Sequence, residues 1–156
     1  MVHTSISRLK NALGAALLCL GMLPGTTLAA DAVNTTADNV AILGYDPVAY
    51  FTEGRPIPGD PAITHEWQDA RWQFATTEHR ARFADDPERY APRYGGFCSG
   101  AMAVGRKAPI DPEAWVIIED KLYLAFSTDA IERFAGNAET TIPSADGHWQ
   151  ELGRIE

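Results

Sequence analysis

Ile63-Thr64-His65-Glu66-Trp67-Gln68-Asp69-Ala70-Arg71-Trp72-Gln73-Phe74-Ala75-Thr76-Thr77 is the stretch that decides the fold. Ile63, His65 and Trp67 alternate with polar neighbours, and Trp72-Gln73-Phe74 alternates again after Asp69-Ala70. That period of two is the pattern of half-buried strands meeting at a tight turn. Thr77 then reads as the N-cap of a helix on which His79, Arg82 and Phe83 recur at helical spacing. Upstream, Asp46 is a good N-cap with Pro47 at the first helical position. A short helix is expected from there to about Glu53, closed by Gly54 and a loop rich in proline. Downstream, Asp86-Pro87 opens a short helix through Tyr90. A second hairpin runs over Ala114 to Ile118 and Lys121 to Phe126, turning at Glu119-Asp120. Thr128 caps a helix with Ile131 and Phe134 on one face, and Ser144 to Trp149 forms a final short turn or helix. No linker divides the chain after Val40, and no internal repeat stands out. The expected fold is α+β, with a small antiparallel β-sheet built from two hairpins and short helices packed on it.

The N-terminus has the layout of a secretory signal. Arg8 and Lys10 supply positive charge, Ala12 to Leu23 is mostly apolar, and Pro24-Gly25 breaks that run. Thr27-Leu28-Ala29 offers small residues at a cleavage site after Ala29. The apolar run is shorter than the roughly 20 residues a permanent span requires. Residues 1–29 are therefore expected as a cleaved signal peptide, 30–39 as a flexible leader and 40–156 as one domain, placed in the periplasm or secreted. The whole chain carries a net charge of −8; removing residues 1–29 leaves 11 basic residues against 21 acidic ones. So acidic a surface repels phosphate backbones, which excludes nucleic acid as the expected partner. No further apolar run reaches membrane length.

Several separated motifs appear in order: Gly44-Tyr45-Asp46-Pro47-Val48-Ala49-Tyr50-Phe51, Trp72-Gln73-Phe74, Phe83 to Pro92, Tyr94-Gly95-Gly96-Phe97-Cys98, Asp111-Pro112-Glu113-Ala114-Trp115 and Lys121-Leu122-Tyr123-Leu124. Together they resemble the YHS domain family in its exported single-domain branch, over roughly Ile42 to Trp149. Better-understood members of that family carry cysteines that look like metal ligands, one after Asp-Pro-Val and one after an aromatic pair in the hairpin. Here those positions hold Ala49 and Ala75, and a methyl group ligates nothing. The resemblance thus implies the scaffold without the usual metal cysteines.

Of the two cysteines, Cys19 lies in the signal, which leaves Cys98 as a lone thiol in the exported chain. Met102 follows at i+4, so thiolate and thioether face the same way on a helix, and soft sulfur suits Cu(I). His79 is the histidine placed to join them as a third ligand or to act as a base for Cys98, although a solvated helix position is its simpler reading. Cys98, Met102 and His79 are the candidate metal set, with a transition metal such as copper as the candidate cofactor. Cys98, Tyr94 and Tyr50 are the candidate ligand-binding set, in a pocket between the first hairpin and the Tyr94–Cys98 segment. The expected function is a non-catalytic binding protein for a small ligand, a metal ion or a protein partner. The alternative is a thiol-dependent enzyme or redox sensor using Cys98, which would require an activated thiolate. Enzymatic activity is left open by the residues.

Overall fold

The computed structural model describes residues 33–155; the expected signal, residues 1–29, lies outside them. Helix α1 (Ala49–Thr52) precedes strands β1 (Asp60–Trp67) and β2 (Ala70–Phe74), then helices α2 (Thr77–Asp85) and α3 (Pro87–Tyr90). Helix α4 (Ser99–Met102), strands β3 (Asp111–Ile118) and β4 (Lys121–Ala125), and helices α5 (Thr128–Gly136) and α6 (Ala138–Ile155) follow. The arrangement is α+β. Each hairpin stands as its own two-stranded antiparallel sheet, rather than joining the other in one sheet.

Both hairpins turn on two residues in the left-handed region, Gln68-Asp69 (φ 49° and 56°) and Glu119-Asp120 (φ 50° and 58°). Such a turn matches the right-handed twist of the strands it joins. The first turn therefore falls one residue before the expected Asp69-Ala70. The cap of the Asp86-Pro87 helix is Asp86, as read, whereas the caps of the two nine-residue helices sit one residue earlier. Thr76 accepts from the His79 backbone N–H, and Ser127 accepts from that of Ala130.

These coincidences are part of a larger one. Strands, turn and helix recur with the same lengths 51 residues later, from Asp60–Trp67, Ala70–Phe74 and Thr77–Asp85 to Asp111–Ile118, Lys121–Ala125 and Thr128–Gly136. The ladder irregularity recurs too, between Asp60 and Thr64 in one hairpin and between Asp111 and Trp115 in the other. A 3-10 turn begins each unit, Ile42–Gly44 and Arg93–Gly96, with Leu43 and Tyr94 both at positive φ. The chain is a tandem repeat, contrary to the sequence reading. The identical pairs are scattered and include Gly44 with Gly95, Gly54-Arg55 with Gly105-Arg106, Pro58 with Pro109, Asp60-Pro61 with Asp111-Pro112, Asp69 with Asp120, Thr77 with Thr128, Arg82-Phe83-Ala84 with Arg133-Phe134-Ala135, Glu88 with Glu139, and Pro92 with Pro143. Backbone-determining residues are kept, while most packed side chains between them differ.

One core joins the two units. Trp72, Phe74 and Phe83 of the first and Leu122, Tyr123 and Phe134 of the second are buried in the same apolar cluster. The stretch expected as a free leader contributes from Val33 onward. Val33 is buried, and the Asn34 N–H donates to Gly95 O at 2.8 Å while its side-chain amide donates to Gly96 O at 3.1 Å. Gly96 is required at this seam: its φ is +79°, and a Cβ there would lie 2.5 Å from Ile42 Cγ2. Helix α6 is longer than the expected Ser144 to Trp149 because Pro143 does not end it. The proline falls in the second turn, where its missing N–H frees only the carbonyl of exposed Glu139.

Candidate functional site

In the first unit, Asp46 and His79 form a buried polar pair between α1 and α2. Asp46 is fully enclosed and its carboxylate accepts four hydrogen bonds. Oδ1 receives the N–H groups of Val48 at 2.9 Å and Ala49 at 3.4 Å. Oδ2 receives that of Ala75 at 2.8 Å and the His79 ring Nδ1 at 2.7 Å. Because the carboxylate only accepts, Nδ1 carries a hydrogen, and Nε2 lies 3.3 Å from Thr52 Oγ1 and 3.9 Å from Glu53 Oε1. His79 is 8% exposed, so it is a buried histidine rather than a solvated one. The local cause is the Thr76 cap, which places His79 in the first turn of α2, facing the loop that Asp46 closes.

Thr52, His79 and Asp46 stand in the order of a hydroxyl–imidazole–carboxylate triad. The hydroxyl, however, also donates to Val48 O at 3.2 Å, and the Thr52 N–H is bound to the same carbonyl at 3.1 Å. The group is thus tied into its own helix turn, and the arrangement works as a clamp that ties α1, the β2 end and α2 together. Ala49 and Ala75, where the family resemblance places metal cysteines, both present their N–H groups to this one carboxylate.

The residues singled out from sequence go to different places. Cys98 and Met102 lie on one helical turn, with the Met102 N–H on Cys98 O at 2.9 Å, and both are fully buried. Cys98 is a free thiol among core side chains. His79 has protein partners on both ring nitrogens, and among the described residues no group of three or more His, Cys, Asp or Glu forms a ligand set. This donor chemistry does not fit a resident transition metal. Tyr50 is buried under Trp115, its O–H donating to Pro112 O at 3.1 Å. Burial chiefly, with the nearby Tyr45 and acidic side chains adding to it, raises its phenol above the ordinary range. Tyr94 donates to Asp146 Oδ1 at 3.0 Å, and its phenol is likewise raised, by burial first and then by the Asp146 charge.

Of these residues, Tyr94 lines an open cleft. A hollow of about 280 Å³ lies between Trp67, Gln68 and Trp72 of the first hairpin and the Arg93–Gly95 turn, with Glu88 and Trp149 completing its wall. Arg93 reaches Asp146 through Nη2 at 3.0 Å, while its Nε is buried with no acceptor among the described residues. Buried polar atoms without partners are rare, because the desolvation of each goes uncompensated. Comparison of the chain with protein-family models, curated proteins and solved structures finds no match in any of the three. The geometry of the cleft therefore carries the functional argument alone. Sequence reasoning placed the pocket between the hairpin and the Tyr94 segment but missed Arg93 and Trp149. The only signal for them was a cation next to Tyr94 and an aromatic on the C-terminal segment.

Proposed function

We propose that the chain is an exported, non-catalytic binding protein of the YHS type that holds a small planar ligand in the cleft beside Tyr94. The observation that carries this reading is a cleft walled by Trp67 and Trp149 with Arg93 in its lining, the Nε of that arginine having no acceptor among the described residues. Aromatic faces with one fixed donor select a ring system bearing a hydrogen-bond acceptor. The signal-like N-terminus supports export. Support for the YHS scaffold comes from Ala49 and Ala75, distant in sequence, converging on the Asp46 carboxylate as two positions of one former site would. Full burial of Cys98 weighs against the thiol enzyme, since a nucleophile must meet its substrate.

Native mass spectrometry of protein recovered from a host periplasm tests the reading, followed by titration of the recovered molecule against wild type and Arg93→Ala. A co-purifying small molecule that binds Arg93→Ala at least tenfold more weakly is expected, the loss of one charge-assisted hydrogen bond being about that large. Protein that retains nothing, or binding indifferent to both Arg93→Ala and Trp149→Ala, would remove the cleft from consideration.

A further inference from the structure

The positions that His79 and Ala75 hold in the clamp of the first unit line an open groove in the second. At the repeat-equivalent positions, Phe97 replaces Asp46, Ala130 replaces His79 and Phe126 replaces Ala75. With the clamp gone, a hollow of about 450 Å³ opens between α4, α5 and the start of α6, floored by Ala101, Ala103, Ala130 and Phe134. Val104 and Phe126 stand on it 61% and 54% exposed, so two of the large apolar side chains that the described residues leave in water share this one hollow. Exposed apolar side chains gathered in one concavity mark a binding surface. Its volume lies within the ~300–1,000 Å³ of small-molecule sites.

Charge identifies the occupant. Arg106 and Arg133 also line the groove. In the first unit, Arg82, the equivalent of Arg133, is neutralised by Glu78 at 2.6 Å. In the second unit the shorter Asp129 stands in the place of Glu78, and neither Arg133 nor Arg106 has an ion pair among the described residues. On a chain with 21 acidic residues, two uncompensated cations beside an apolar floor are a local reversal of sign. We propose that this groove binds a free small amphiphile, an alkyl or aryl body carrying one carboxylate or other anionic group. The apolar body covers Val104, Phe126 and Phe134, and the anion meets the two guanidinium groups, for which bidentate pairing with a carboxylate is the favoured geometry. An anionic membrane surface is disfavoured as the source, because the net charge repels it. The site is separate from the aromatic cleft and does not depend on its occupancy.

Titration of the purified protein with dodecanoate below its micelle concentration, followed by amide chemical shifts, tests the proposal. Dodecyltrimethylammonium, with the same tail and opposite charge, and anionic phosphatidylglycerol vesicles are the controls. Saturable binding of dodecanoate is expected, with shifts centred on Ala101, Val104, Phe126 and Ala130. Arg106→Gln and Arg133→Gln, both on the surface, should keep the wild-type melting temperature and each weaken binding about tenfold. The cationic detergent should bind at least tenfold more weakly than dodecanoate. Equal binding of the two detergents, unchanged affinity in both arginine variants, shifts centred on Trp67 and Trp149, or binding to vesicles alone would each overturn the assignment.

Discussion

The two units share a backbone and differ in what fills the space between the short helix and the nine-residue helix. In the first, a carboxylate with four donors closes that space and binds three chain segments to each other. In the second, phenylalanine and alanine stand at those positions and the space stays open to solvent. The difference teaches that the hairpin, cap and helix specify the architecture, while the clamp is a local addition that one unit has and the other does without. A buried carboxylate is a demanding way to close a gap, because it is costly without the donors that surround it.

Removing one side of the clamp gives the largest expected effect. His79→Ala leaves the Asp46 carboxylate buried without its partner and should cost about 3 kcal/mol, read as a lower urea midpoint. The double variant Asp46→Ala, His79→Ala should lose less than the sum of the two single changes. Strict additivity would show that the pair is not a unit, and the contrast between the halves would lose its basis. Next in size is the seam: Gly96→Ala must displace Ile42 and hold a side chain at positive φ, for about 2 kcal/mol. Gly54→Ala also has positive φ, but its added carbon would meet nothing within 4 Å, so it should cost clearly less in thermal melts. The helix caps sharpen the comparison from the other direction. Thr76→Ala and Ser127→Ala should each cost about 1 kcal/mol, since both make the same bond in the two units. Unequal losses would mean that the units are less alike than their backbones.

The smallest effect appears only in alkali. Tyr50 and Tyr94 have phenols raised above the ordinary value, so the unfolded chain ionises first as pH rises. Their contribution is complete below pH ~10, the unfolded value, and is lost as pH climbs through the folded values. Tyr94→Phe should flatten the decline of the melting temperature above pH ~10 relative to wild type, and an unchanged slope would count against the buried phenol as its cause.

What could be read from the sequence was local. Alternation found both hairpins, and the Thr-Thr and Ser-Thr pairs located the caps to within a residue, because turns and caps are decided by side chains close to them. The tandem repeat was hidden because its identical positions come singly or in runs of two or three, with Trp72 answered by Tyr123 and His79 by Ala130. The clamp was hidden for a different reason: Asp46 and His79 are 33 residues apart, and nothing in either neighbourhood announces the other. His79 looked like a surface residue because Glu78 and Arg80 on either side of it are exposed. The pocket beside Tyr94 was anticipated in position, but its Arg93 and Trp149 depend on α6 packing back across the seam, which Pro143 concealed.

Asn34 gives the seam a kinetic meaning. Each hairpin and its helix close over short loops, whereas the Asn34 amide reaches Gly96 across 62 residues of chain. Short loops close early and long ones late, because closure entropy grows with the length spanned. The N-terminal stretch should therefore dock after both units have formed, as a final latch. Asn34→Ala should then speed unfolding several-fold in stopped-flow experiments and leave the refolding rate unchanged. A slowed refolding limb would instead place the latch in the folding nucleus.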